Sequence, residues 1–213
     1  MPAGKLDLTR VEIKPLSRDI ATNRFCCGKL PIDRFLKNNA GKAQERIEYR
    51  TFCARLDDSS VCRGYYTLQA GTGIVADLPK THDSYLTRRR DRKKERSKVF
   101  PAINLAYIGV DEACQRQGLG RFLIMDVFSK VARIAELAGV YALTLTSFDS
   151  DSTKFYKRIG FEVYVNGVQP EMLYPIQSVI DLVGAFGEAR QDDAVPAPRT
   201  AEIEPPGTDP AGG

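Results

Sequence analysis

Gln115-Arg116-Gln117-Gly118-Leu119-Gly120 is the stretch of this 213-residue chain whose residue types and spacing fit a chemical task. It lies between an apolar run and a long helical pattern, with Gly118 and Gly120 one residue apart. A helix start of this kind is an anion site. Its first backbone N–H groups have no partner inside the helix, and the helix dipole is positive at that end. Neither glycine carries a Cβ, so the main chain can approach a phosphate closely, and Arg116 and Arg121 add charged donors. The plainer reading, glycines that only allow a tight turn and close packing, stands beside it. The pattern is not the dinucleotide fingerprint, which needs a third glycine. Nor is it the P-loop, since no Gly-Lys-Ser/Thr follows.

A second group of residues is defined by charge. Residues 80–100 hold nine Lys/Arg, among them Arg88, Arg89, Arg90, Arg92, Lys93 and Lys94, against three acids. The whole chain is only +4, so the basicity is local and points to a polyanionic partner; a solvated loop is the alternative. Metal chemistry has little support. The five cysteines form no C-x-x-C pair, and His82 is the only histidine. His82 reads as a loop residue rather than a base. Cys53 and Cys62 could face each other across a hairpin, with buried free thiols the preferred reading. No stretch approaches the ~20 apolar residues of a membrane span, and the first residues have no apolar signal core. A cytoplasmic setting with no membrane partner is expected.

The elements that must position these residues alternate along the chain. Leu6–Ile13 reads as a strand, and Ile32, Phe35, Leu36 and Ala40 recur at helical spacing behind Pro31. Tyr49–Leu56 and Cys62–Ala70 read as a hairpin around Asp57-Asp58-Ser59-Ser60. Tyr65 and Tyr66 on its second strand are expected to pack in the sheet. Ile103–Val110 is an apolar strand that leads through the glycine loop into a helix ended by Gly139. Val140–Thr146 should lie parallel to it, because a helix crosses between them. A short helix, Asp151–Ile159 closed by Gly160, precedes strands Phe161–Val165 and Met172–Ile176. The expected fold class is α/β, a mixed central sheet with helices on both faces. The domain is expected over 1–178 with 80–100 as a basic insertion, then a short extension (179–187). The last part, 188–213, holds five of the 12 prolines and should be a disordered acidic tail.

Gln115–Gly120 resembles the coenzyme A pyrophosphate loop of the GNAT acetyltransferases, whose pattern is Arg/Gln-x-x-Gly-x-Gly/Ala. Phe155-Tyr156-Lys157-Arg158-Ile159-Gly160-Phe161 resembles the same family's Phe-Tyr-x-x-x-Gly-Phe segment. The resemblance covers roughly residues 5–178 and implies the GNAT fold. It implies acetyl-coenzyme A held by Ile108, Val110, Gln115, Arg116, Gln117, Gly118, Leu119, Gly120, Arg121 and Phe155. Tyr156 is implied to lie near the thioester sulfur, and the Val110 backbone N–H to donate to the carbonyl oxygen. A packed tyrosine is the alternative for Tyr156.

Phe25-Cys26-Cys27-Gly28, Ile32-Asp33-Arg34-Phe35-Leu36, Gly64–Leu68 and Met172–Ile176 resemble the GNAT toxins of bacterial toxin–antitoxin modules. That narrower resemblance implies an aminoacyl-tRNA substrate, a block of translation, a ribbon-helix-helix antitoxin, and allows a homodimer. The basic segment departs from it in length and charge. With no strong base in view, an aminoacyl ester suits the chain better than a lysine, whose amine has a pKa of about 10.4. An acetyltransferase of a small-molecule or protein amine is the second reading, favoured by an acidic acceptor pocket without need of Arg88–Lys98. A non-catalytic nucleic-acid-binding protein on the same fold is the third. An intact loop together with Tyr156 argues against it.

Overall fold

The computed structural model describes residues 6–57, 59–74 and 99–192. Seven strands form one sheet: β1 (Val11–Pro15), β2 (Arg50–Leu56), β3 (Gly64–Ile74), β4 (Val99–Val110), β5 (Ala142–Thr146), β6 (Glu162–Val165) and β7 (Glu171–Pro175). Their order is β1-β2-β3-β4-β5-β7-β6. Every neighbouring pair is antiparallel except β4–β5. That pair is parallel because helix α3 (Leu119–Leu137) carries the chain back between them.

The remaining helices are α1 (Leu30–Arg34), α2 (Ala40–Glu45), α4 (Ser150–Ile159) and α5 (Ile176–Asp192). A π-helical turn, Phe35–Asn39, joins α1 to α2. The expected single helix behind Pro31 is therefore three short pieces. Leu119, Leu123, Ile124, Val127, Phe128, Val131 and Ala132 form the buried stripe of α3. They pack on Ile103, Leu105, Leu143, Leu145 and Met172. On the other sheet face Phe25, Phe35, Leu36 and Ala40 cover Cys53 and Tyr65. Helices on both faces follow from side chains that alternate along each strand.

Four boundaries differ from the sequence reading. Leu8–Arg10 is a 3₁₀ turn capped by Asp7, so the first strand starts only at Val11. Helix α3 ends at Leu137 without a left-handed glycine. Ala138 is already extended (φ −144°), and Tyr141 N–H soon donates to Pro101. The stretch read as a short extension is the amphipathic helix α5, which places Val179 in the core. That helix runs to Asp192, past the point where the tail was expected to begin; residues 193–213 lie outside the described residues.

Tyr65 and Tyr66 are fully buried, donating to the Ile32 carbonyl (2.7 Å) and the Asp126 carboxylate. Both are packing residues. The five cysteines are free thiols, Cys53 and Cys62 buried side by side.

Candidate active site at the open end of two parallel strands

The β4–β5 ladder consists of Ala102↔Ala142, Ile103↔Leu143 and Asn104↔Thr144, and then stops. Strand β4 runs on to Val110 and β5 to Thr146, so the two part into a V. A bulge decides which groups face the gap. Thr67 pairs with Tyr107 but Leu68 with Leu105, leaving Ala106 unmatched. Before the bulge, odd positions of β4 turn toward β5, as the Tyr141 N–H bond to the Pro101 carbonyl shows. After it, Asp111 N–H donates to the Arg63 carbonyl on the β3 side (2.9 Å). Hydrogen-bonded positions alternate along an antiparallel pair, so Gly109 and Tyr107 also point to β3, and Ile108 and Val110 point into the gap. Those are two of the backbone donors the family resemblance implied. The inserted residue is what turns them there.

At the tip of the V the loop is built by its own side chains. Gln115 Nε2 donates to the Val110 and Cys27 carbonyls, each at 3.0 Å. Gln117 accepts from Leu6 N–H (2.8 Å) and donates to the Ala113 carbonyl (2.9 Å). The two glutamines expected among the cofactor ligands thus brace the loop with their side chains. The buried Asp111 carboxylate receives Cys26 N–H (3.3 Å) and Ala113 N–H (3.2 Å), and lies 3.8 Å from the Arg63 guanidinium. So fixed, the backbone turns left-handed at Arg116 (φ +60°) and at Gly118 (φ +93°), the residue before α3. Among the described residues the N–H groups of Gly118, Leu119, Gly120 and Arg121 meet no acceptor. The Arg116 and Arg121 side chains are exposed, and Leu119 is buried as an anchor. A Cβ on Gly120 would lie 3.7 Å from both the Phe155 ring and Val110. The helix start, the strand end and α4 meet at that residue. Consecutive free amides at a positive helix end, flanked by two guanidinium groups, fit a pyrophosphate.

Tyr156 is 7% exposed, edge-on to Phe155 and Phe161 with ring centroids at 5.3 and 5.6 Å. Its hydroxyl makes no hydrogen bond among the described residues. Yet the one fully buried side-chain polar atom without a partner there is Arg55 Nε. The Tyr156 oxygen is therefore not completely enclosed by protein. Burial first, and the neighbouring Asp149 carboxylate second, push its pKa up, so the hydroxyl stays protonated.

Sequence reasoning missed Lys29 and Asp149. Asp149 caps α4, accepting Ser152 N–H (2.8 Å) and Ser152 Oγ–H (2.6 Å). Lys29 precedes α1 on the other side of the V; its ammonium pairs with Asp149, reaches Ser152 Oγ (3.3 Å) and lies 4.9 Å above the Phe148 ring. The Lys29 bond, then the two from Ser152, hold the Asp149 carboxyl far below the ordinary carboxylate range. An aspartate three residues before Ser152 is a readable capping pattern. Its partner 120 positions earlier left no local signal.

His82 and the expected RNA-binding residues Arg88, Arg89, Arg90, Arg92, Lys93 and Lys94 lie outside the described residues. The flanking residues Ile74 and Val99 pair with each other at the end of β4 opposite Val110. Because β4 is 12 residues long, that end is about 36 Å from the loop. Among the described residues no cluster of metal ligands occurs, and no helix is long and apolar enough to cross a membrane.

Residues 50–163 match the acetyltransferase (GNAT) domain family. The probable toxin TacT of Sinorhizobium fredii is 26% identical over 167 residues, covering 75% of this chain and 87% of that protein. A variant of the solved protein KacT with tyrosine replaced by phenylalanine superposes with a TM-score of 0.71 at 23% identity, over 81% of this chain and 99% of that one. AtaT complexed with acetyl-methionyl-tRNAfMet gives 0.69 at 23% identity, over 81% and 98%. AtaTR bound with acetyl-coenzyme A gives 0.70 at 23% identity, over 82% and 98%. At these identities the solved structures establish the fold, a mixed seven-stranded sheet with helices. The family match takes in the bulged strand, the glycine loop, Tyr156 and Gly160, and with it the chain belongs to the GNAT acetyltransferases, enzymes that use acetyl-coenzyme A.

Proposed function

We propose that this acetyltransferase is a toxin that acetylates the amino group of aminoacyl-tRNA, blocks translation, and is neutralised by an antitoxin. The observation that carries the reading is the likeness to the probable toxin TacT along 87% of that protein's length. The chemistry of the V supports it. Asp149, the carboxylate beside Tyr156, is held ionised by Lys29 and is a poor base. An aminoacyl ester needs little base, because its amine is partly neutral near pH 7; a lysine's is not.

Acetyl-coenzyme A supplies the acetyl group as a thioester: the acceptor nitrogen bonds to its carbonyl carbon, the carbon–sulfur bond breaks, the nitrogen loses a proton and the sulfur takes one up. The free amides of Gly118–Arg121, with Arg116 and Arg121, bind the pyrophosphate. The N–H groups of Ile108 and Val110 line the arm and donate to the carbonyl oxygen, a contribution of about 3 kcal/mol for one such donor. Tyr156, kept protonated by its burial, donates to the departing sulfur. Phe155 packs against the start of α3 and closes the site on that side.

Arg88, Arg89, Arg90, Arg92, Lys93 and Lys94 engage the tRNA phosphates. The partner is a ribbon-helix-helix antitoxin and the setting cytoplasmic. The test is cell-free translation. The protein with acetyl-coenzyme A should stop synthesis, and the protein with desulfo-coenzyme A should not. Equal synthesis in both reactions would refute the reading.

A further inference from the structure

On the sheet face opposite α3, α1 and α2 cover only the end where Phe35 stacks on Tyr107 at 3.7 Å. Beyond that contact the face holds a trough of about 320 Å³, lined by Gln69, Thr72, Asn104, Thr144, Thr146 and Glu171 among others. Its floor includes Asn104↔Thr144, the last ladder pair before β4 and β5 part. Thr146, two residues further along β5, has no β4 partner, so the trough continues about 7 Å up the open arm. It therefore reaches the gap from the side of the sheet away from α3. Its outer end, at Gly71 and Thr72, is close to Ile74, where the basic segment leaves the sheet.

The lining chemistry is specific. Two carboxamides (Gln69, Asn104) and four hydroxyls (Thr72, Thr144, Thr146, Tyr164) offer donors and acceptors. The Thr144 and Tyr164 hydroxyls already donate to the Ile103 carbonyl and to Glu171. Glu171 is the one formal charge. Its carboxylate accepts from Tyr164 (2.5 Å), and it has no cationic partner among the described residues. A phosphate would be repelled here, whereas an ammonium group would be drawn in. Bulky apolar groups would leave the amides and hydroxyls without partners, which a hydrogen-bonding site penalises heavily.

We propose that the trough holds the aminoacyl group of the acceptor and selects polar, non-acidic side chains. This rests on the aminoacyl-tRNA reading and adds the amino-acid class. The trough is also large enough, since ligand sites begin at about 300 Å³.

The experiment compares acetylation of tRNA charged with single amino acids by the full chain and two variants. Seryl-, asparaginyl- and lysyl-tRNA should exceed leucyl-, phenylalanyl- and glutamyl-tRNA. Asn104→Leu should shift the ratio of leucyl to asparaginyl transfer by roughly tenfold. Glu171→Gln, at an exposed position that folding tolerates, should raise glutamyl transfer relative to lysyl. Coenzyme binding by calorimetry should be unchanged in both. If charged tRNA is acetylated but both variants keep the parent's order of preference, the trough is not the aminoacyl site and the broader function survives. If no charged tRNA is acetylated, both fall together.

Discussion

Removing the Tyr156 hydroxyl is the smallest change that touches the chemistry. Tyr156→Phe keeps the edge contacts with Phe155 and Phe161 and deletes an oxygen with no protein partner among the described residues. Stability and acetyl-coenzyme A affinity should stay near the parent's, while turnover falls at least 100-fold, the scale of a lost proton donor. A drop in affinity with turnover intact would make Tyr156 a packing residue only. Gly118 probes the other end of the site. At φ +93° a β-branched side chain is strained by about 1–2 kcal/mol. A Cβ would also come within 3.3 Å of Leu8. Gly118→Val should weaken acetyl-coenzyme A binding about tenfold by titration calorimetry. Unchanged binding would remove the loop amides from the pyrophosphate site. Asp149 gives a pH dependence. Its pKa is lowered by folding, so its stabilisation is present above the ordinary carboxylate range and lost as pH falls through the folded value. Melting should therefore show a Lys29-dependent decline only in acid, and a modest one, because both side chains are partly exposed.

At the scale of elements, the β4 bulge and the Lys29–Asp149 bridge do the positioning. The bulge aims the Ile108 and Val110 amides, and the bridge ties the segment before α1 to the capped end of α4, the helix that carries Tyr156. Lys29→Met should lower kcat several-fold with acetyl-coenzyme A affinity unchanged, and Lys29→Arg should restore most of it. Equal kcat in both variants would make the bridge an incidental ion pair. Local patterns were readable. The apolar run of β4, the glycine loop, the Asp-to-Gly160 span of α4 and the crossover that makes β4 and β5 parallel all rest on residues near one another in sequence. What was hidden depends on distant partners. No local pattern reveals that Ala106 is unmatched until β3 is laid beside it, or that Gln115 and Gln117 turn inward to Cys27 and Leu6. Helix α5 was obscured for another reason: its Ile176, Val179, Ile180 and Val183 run directly on from β7 without a turn residue between.

At the scale of the whole molecule, the two ends of β4 lead to different parts of the sequence. At one end of β4 a basic stretch leaves and re-enters the sheet, and about 36 Å away the glycine loop closes the V. Replacing Arg88, Arg89 and Arg90 by Ala should reduce the slope of log affinity for tRNA against log salt by about 2, with turnover at saturating substrate little changed. An identical slope would return the segment to a solvated loop. The central claim, acetyl transfer to the amino group of aminoacyl-tRNA, is tested most directly with radiolabelled acetyl-coenzyme A and bulk charged tRNA, with deacylated tRNA as control. The account predicts label on charged tRNA alone, released with the amino acid by mild base. Label on deacylated tRNA, or none on either while the coenzyme still binds, would contradict it.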